Sequence, residues 1–143
     1  MNQKRRRILV VNDTEEILEL FHDILEGMGH EMIPLTYAPD DLQQIVEIMP
    51  DLAIIDFVMG GLEYRGWQLV QKLRMHRLTA NIPLIICTAA KREVYEQEGW
   101  LTEKGVSIVL KPFDIEDLER AIERAFSTAE MRRTRPGVDA TSR

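Results

Sequence analysis

The chain has 143 residues, of which 45% are hydrophobic and 29% are charged, and its formal net charge is −6. This length is typical of one domain, so we expect no second catalytic or DNA-reading domain beside it. Because residues 1–7 carry a charge of +4 and residues 127–143 carry +2, the body between them carries −12. Such an acidic body argues against nucleic acid binding by this domain.

Cysteine usage and hydropathy indicate the compartment. The single cysteine, Cys87, lies inside an apolar segment, which excludes a disulfide framework and favours a core residue in a reducing compartment. No apolar stretch approaches the roughly 18 residues of a membrane span, and the N-terminus has no apolar signal-peptide region. We expect a soluble cytoplasmic protein with no membrane span, in which Lys4 to Arg7 form a solvated lead-in.

Short apolar segments alternate with helical periodicity along the chain, which indicates five β-α units. The first predicted strand, Ile8–Val11, precedes a helix whose apolar residues recur from Ile17 to Met28 and which should end near Gly27 and Gly29. The other strands are predicted within residues 31–35, 51–56, 83–88 and 106–111.

Four more helices follow these strands. The second is predicted over residues 42–49 and the third around residues 69–73, each with apolar residues on one face. The fourth, over about residues 92–104, is the least regular. The fifth begins at Asp114, a suitable N-cap, and must end before Pro136–Gly137.

Four of the predicted strands end in a polar or charged group. Asp56 is the most informative, because four apolar residues lead into one carboxylate, as expected of a buried central strand. Ligands bind at the carboxyl edge of an open parallel sheet, where the other polar strand ends would join Asp56. These are Asn12–Asp13, Thr88 and Lys111. Together the groups suit a divalent cation and a phosphoryl group.

These motifs resemble the receiver domain of two-component response regulators. The match covers residues 8 to about 127, and its key positions from Asp13 onwards are 43, 32 and 23 residues apart. The resemblance implies a doubly wound (βα)5 flavodoxin-like α/β fold, a five-stranded parallel sheet with helices on both faces. It divides the chain into a basic N-terminal lead-in (1–7), a receiver domain (8–127), and a C-terminal helix extension with a flexible tail (128–143).

The resemblance also implies a function, that of a signalling switch rather than an enzyme. Asp56 would be the phosphoacceptor, taking a phosphoryl group from a sensor histidine kinase or a phosphotransfer protein to give an aspartyl phosphate. The cofactor would be Mg2+, held by Asp13, Asp56 and the backbone carbonyl of Val58, with Asn12 acting through a water.

Two further positions would contact the phosphoryl group. Thr88 would hydrogen-bond one phosphoryl oxygen, and Lys111 would pair with another. A cis peptide bond between Lys111 and Pro112, common in the family, would aim the lysine inward. The downstream protein is unknown, and the resemblance leaves a homodimer open.

Three features depart from the family pattern. Asn12 replaces one of two usual acids, so metal affinity should be weaker. Gly60 replaces a proline and begins a loop that is longer than the common form and should be more mobile. Ile108 replaces the aromatic residue that usually rotates when the signal is transmitted, so either another residue, Tyr95 or Trp100, would take that role or transmission would be weak.

Several candidates have a structural alternative. Asp13 lies three residues before Glu16, which is the spacing of a helix capping box. Trp67 and Trp100 are expected to be packing residues with one exposed edge. The three histidines share no metal-ligand spacing and are expected on surface helices or loops: His22, His30 and His76.

Two other functions remain open. One is a receiver-like protein-interaction module that is not phosphorylated, with which Asn12 and Ile108 are compatible. The other is a phosphatase of the haloacid dehalogenase type, whose aspartate nucleophile needs a second acid two residues later. That position is Val58 here, which argues against the phosphatase. Phosphoryl uptake from acetyl phosphate with Mg2+ separates the phosphorylated receiver from the interaction module.

Overall fold

The computed structural model describes residues 5–59 and 64–134, with side chains as far as Ala129 in the last helix. The strands are β1 (Arg7–Val11), β2 (Glu31–Leu35), β3 (Leu52–Ile55), β4 (Leu84–Thr88) and β5 (Ser107–Leu110). The helices are α1 (Glu15–Gly27), α2 (Gln43–Ile48), α3 (Arg65–Met75), α4 (Lys91–Glu96), α5 (Glu98–Glu103) and α6 (Ile115–Thr134).

The strands form one parallel sheet in the order β2-β1-β3-β4-β5, which confirms the predicted doubly wound topology. The sheet separates two apolar cores. Helices α1 and α6 cover one face through residues such as Phe21 and Leu118. Helices α2, α3 and α5 cover the other face through Ile45, Leu73 and Leu101. Each such side chain stabilises the fold by about 1.5–3 kcal/mol, so the two cores fix the sheet that carries the strand ends.

The fourth predicted helix, over residues 92–104, is two short helices in the structure. Helices α4 and α5 are separated by Gln97, whose backbone angles are φ −109° and ψ 13°. The prediction of one helix is therefore wrong at this residue. Each half buries one residue, Val94 in α4 and Leu101 in α5, so no continuous apolar stripe holds them in a single straight helix.

The lone thiol lies in the middle of the sheet. Cys87 is 2% exposed in β4, and burial raises its pKa to about 12 despite the opposing charge of Lys111. Because the thiolate is the reactive form of cysteine, this residue packs and does not react, as the sequence predicts.

Helix α6 continues to Thr134, past the end of the predicted receiver domain at residue 127. The predicted tail after residue 134 and the glycine-rich part of the loop that begins at Gly60 lie outside the described residues. Within residues 5–59 and 64–134, none of the helices combines the length and the apolar character needed to cross a membrane.

A cluster of three side chains closes the amino edge of the sheet. Arg6 is 8% exposed, and its guanidinium carbon lies 4.6 Å from the centre of the Phe126 ring, a cation-π arrangement. His30 is also buried, and its Nδ1 accepts a hydrogen bond from the Arg6 backbone N–H at 3.2 Å. The predictions of a fully solvated lead-in and of a surface position for His30 are wrong. His22 and His76 are exposed, as predicted.

Protonation of His30 in acid should destabilise the fold. Burial lowers the pKa of His30 below its usual value of 6.5, and the charges of Arg6 and Arg5 lower it further, against weaker opposition from Asp51 and Glu123. The unfolded chain therefore binds this proton more readily than the folded chain does. Stability that is present above about pH 6.5 should be lost as the pH falls below that value.

Thermal unfolding of the parent and of His30→Asn from about pH 8 to pH 5 measures this effect. Asparagine keeps a hydrogen-bond acceptor but does not titrate, so the melting temperature of the variant should fall less in acid. His22→Asn, which changes an exposed histidine, should follow the parent. Parallel curves for the parent and His30→Asn would place the acid sensitivity elsewhere.

Candidate functional site

Polar side chains from four strands meet at the carboxyl edge of the sheet. Asn12 follows β1, Asp56 follows β3, Thr88 ends β4 and Lys111 follows β5. The hydrogen bonds described below join three of them directly. Asp13 lies next to Asn12 on the same edge and is exposed.

The Asp56 carboxylate accepts hydrogen bonds from three elements. Its Oδ2 atom accepts from Lys111 Nζ at 3.1 Å and from Asn12 Nδ2 at 3.2 Å, and its Oδ1 atom accepts from the Val58 N–H at 3.3 Å. The side chain is 14% exposed, and that of Lys111 is 21% exposed, so solvent screens this ion pair less than a surface pair. The carboxylate is thus held in one place by charge and by directed donors.

The backbone of Asp56 is fixed by the start of α3. A Cβ atom on Gly66 would lie only 1.6 Å from the Asp56 carbonyl oxygen, so no larger residue fits there. Trp67 N–H donates to the Phe57 carbonyl at 3.1 Å and closes the same contact. Gly66 was not predicted as a site residue, because the sequence places it at the end of the loop that begins at Gly60. Its one signal was a glycine shortly before the third predicted helix, where a close backbone approach favours this residue.

Asn12 joins the end of β1 to the Asp56 carboxylate. It is 3% exposed, and its Oδ1 atom accepts the Thr14 N–H at 2.9 Å while its Nδ2 atom donates to Asp56. The structural alternative for Asp13, a capping box with Glu16, does not form, because α1 has Thr14 as its N-cap and no side-chain cap bond. The turn before α1 is instead held by the Asn12 amide.

Thr88 and Lys111 are tied to each other through the backbone. Thr88 is 1% exposed, its Oγ1 atom accepts the Ala90 N–H at 3.2 Å, and its carbonyl accepts the Lys111 N–H at 2.8 Å. The peptide bond between Lys111 and Pro112 is cis. The threonine hydroxyl and the lysine ammonium are therefore carried by neighbouring strand ends.

A cavity of about 350 Å³ lies beside this edge, and Asp13, Met59 and Arg65 are among the residues that line it. Hard oxygen donors are present at this edge, because the Asp13 carboxylate lines the cavity and the Asp56 carboxylate follows β3 at the same edge. In the part of the chain that the structure describes, three or more His, Cys, Asp or Glu side chains do not gather as a metal cluster. This donor set fits Mg2+, which binds through one or two carboxylates and keeps several waters.

Position 108 is occupied by an aliphatic side chain. Ile108 is partly buried and packs against the apolar core beneath α3 and α5. The aromatic rings near the site lie elsewhere: Phe57 stacks on Trp67, and Trp67 packs edge to face on Trp100. Both tryptophans are partly buried, as predicted for packing residues with an exposed edge.

Comparison with known proteins agrees with this arrangement. Residues 8–123 match the family model described as the response regulator receiver domain. The phosphate regulon transcriptional regulatory protein PhoB of Pseudomonas aeruginosa is 30% identical over 92% of this chain and 54% of its own length. The chain thus spans about half the length of the curated relatives it matches.

Two solved structures share the fold. The CheY-like receiver domain protein of Methanospirillum hungatei has a TM-score of 0.75 and 26% identity, over 89% of this chain and 98% of that one. The response regulator TrrA of Thermotoga maritima, solved in complex with Mg2+ and BeF, has a TM-score of 0.71 and 24% identity, over 84% of this chain and 98% of that one. The chain belongs to the response regulator receiver domain family.

Proposed function

We propose that this chain is a phosphorylatable receiver that takes a phosphoryl group on Asp56 and acts as a cytoplasmic signalling switch. The donor would be a sensor histidine kinase or a phosphotransfer protein, and the downstream protein is not identified by the chain. The observation that carries the proposal is the position of the Asp56 carboxylate, 3.1 Å from Lys111 Nζ at the carboxyl edge of the sheet. Receiver function is assigned to residues 8–127, within which this edge lies.

The arrangement supports direct attack by Asp56 on a phosphohistidine donor. A carboxylate oxygen forms a bond to phosphorus, the P–N bond breaks, and the imidazole leaves with the electron pair and takes a proton. Mg2+, which would be held by Asp13, Asp56, the Val58 carbonyl and Asn12 through a water, would neutralise charge on the phosphoryl oxygens.

Lys111 and Thr88 would bind the product. Lys111 now pairs with the Asp56 carboxylate, and its ammonium is available to a phosphoryl oxygen once that carboxylate is phosphorylated. The Thr88 hydroxyl accepts the Ala90 N–H, which leaves its own proton to donate to a second phosphoryl oxygen.

Phosphorylation should add one phosphoryl group per chain. Incubation with Mg2+ and acetyl phosphate should raise the intact mass by that group, and hydroxylamine should remove it, because acyl phosphates react with this nucleophile. Asp56→Asn should take up none, whereas Asp23→Asn, a change at an exposed carboxylate on α1, should behave like the parent. Equal uptake by Asp56→Asn would sink the assignment. No uptake by the parent would favour an interaction module that is not phosphorylated.

Mg2+ should raise the melting temperature, because a cation relieves repulsion between Asp13 and Asp56. Asp13→Ala should remove this response.

Asn12→Asp should strengthen the response to Mg2+, since it replaces the amide donor to Asp56 with a charge. The metal-free protein should lose about 1 kcal/mol of stability, and Mg2+ should restore more stability than in the parent. Calorimetry at several Mg2+ concentrations measures both shifts. An Asp13→Ala protein that still responds like the parent would place the ion elsewhere.

The phosphorylated state should persist. Hydrolysis needs a water held in line with the P–O bond, and the residues two positions beyond Asp56 and Thr88 are Val58 and Ala90, which cannot hydrogen-bond water through their side chains. Both are partly buried against the apolar core. The double variant Val58→Asn with Ala90→Glu should lose phosphate faster than the parent after the donor is removed. Equal rates would show that these side chains do not control the lifetime.

A further inference from the structure

A row of aromatic rings begins at the residue after the phosphoacceptor. Phe57 is 1% exposed and stacks on Trp67 of α3, with ring centroids 5.3 Å apart and an angle of 30° between the planes. Trp67 packs edge to face on Trp100 of α5, with centroids 5.0 Å apart and planes at 80°. These three residues are called the aromatic row below.

The first end of the aromatic row is in rigid contact with the site. The Phe57 carbonyl accepts the Trp67 N–H at 3.1 Å, and Gly66 leaves no space between the start of α3 and the Asp56 carbonyl. A shift of the Asp56–Phe57 backbone must therefore displace the first turn of α3 as well. Packed interiors pass on such displacements because they contain few voids.

The last residue of the aromatic row, Trp100, lies in α5, and a hydrogen bond also joins α3 to the end of α5. Arg74, near the end of α3, donates from Nε to the Lys104 carbonyl at 3.0 Å, directly after α5. Trp100 and the buried Leu101 lie inside α5. Helices α3 and α5 are thus joined at two places. Helix α5 is also linked to α4 through Gln97, whose N–H donates to the Val94 carbonyl and whose carbonyl accepts the Leu101 N–H.

We propose that the aromatic row carries the phosphorylation state of Asp56 to the surface of α5, in a chain whose position 108 has no ring to rotate. The proposal rests on the proposed function, since it needs a phosphoryl group at Asp56. When Asp56 is phosphorylated, Lys111 and Asn12 release the carboxylate oxygens and contact the phosphoryl group instead. The forces on the backbone of Asp56 and Phe57 change as a result. The aromatic row transmits the resulting backbone displacement from Phe57 through Trp67 to Trp100. The competing route runs from Thr88 through Ala90 into α4.

Tryptophan fluorescence tests the aromatic row, because Trp67 and Trp100 are the two tryptophans of the chain. Trp67→Phe keeps a ring in the row and leaves Trp100 as the reporter, whereas Trp67→Leu leaves the same reporter and removes the ring. Both variants are treated with Mg2+ and acetyl phosphate, and phosphoryl uptake is followed by intact mass. With equal uptake, the Trp100 emission should change in Trp67→Phe, and this change should be lost in Trp67→Leu.

Several outcomes decide the question. An equal emission change in both variants shows that the signal reaches α5 by another route and overturns the proposal. No uptake by the parent overturns the proposed function and the aromatic row with it. Asp56→Asn in the Trp67→Phe background should show no emission change. If Trp67→Leu fails to fold, amide hydrogen exchange of residues 98–103 in the parent decides: protection unchanged by phosphorylation overturns the proposal, and altered protection there without a change in residues 91–96 supports it.

Discussion

The ion pair between Lys111 and Asp56 is the interaction on which the rest of the site depends. A carboxylate that is 14% exposed, in a body of formal charge −12, requires donors and an opposite charge close by. Lys111 provides that charge from the end of a different strand. Because both side chains are mostly buried, removing either charge would leave the other without a partner. The same pair therefore stabilises the sheet edge and fixes the Lys111 ammonium beside the Asp56 carboxylate.

The strand order explains why the ion pair between Lys111 and Asp56 extends across the end of β4. Asp56 follows β3 and Lys111 follows β5, so the pair crosses the end of β4, which lies between those strands in the sheet. Thr88 ends β4 and is buried. Its strand end lies between those that carry the aspartate and the lysine. Three residues that are far apart in sequence thus become neighbours because the sheet is parallel and its strands are adjacent.

The strand ends were predictable because the sequence marks them twice, by apolar composition and by the polar residue that closes each strand. Asp56, Thr88 and Lys111 lie where that pattern placed them. The break at Gln97 was not predictable, because neither proline nor a consistent apolar period marks it, and packing on two separate residues decides it. Gly66 was missed for a related reason. Its role depends on the approach of α3 to Asp56, a tertiary contact that no local pattern records.

The amino edge of the sheet gave the largest errors for a similar reason. Arg6 and His30 are polar and flank strands, so their composition favoured exposure, yet both are buried against Phe126 of α6. Buried polar groups need partners, and the Arg6 backbone N–H donates to His30 Nδ1 while the Arg6 guanidinium lies over the Phe126 ring. The hydrogen bond joins residues 24 positions apart, beyond the reach of a local pattern.

The burial of Cys87 has a consequence for how the protein can be studied and how it behaves under oxidation. Its thiol carries a pKa of about 12 and is 2% exposed, so the native fold offers oxidants and alkylating agents almost no thiolate. The thiol of Cys87 in the folded protein is therefore little affected by the redox state of the surroundings. A maleimide reagent can reach the Cys87 sulfur when β4 separates from the neighbouring strands. The rate at which Cys87 is labelled therefore measures how often the central sheet opens.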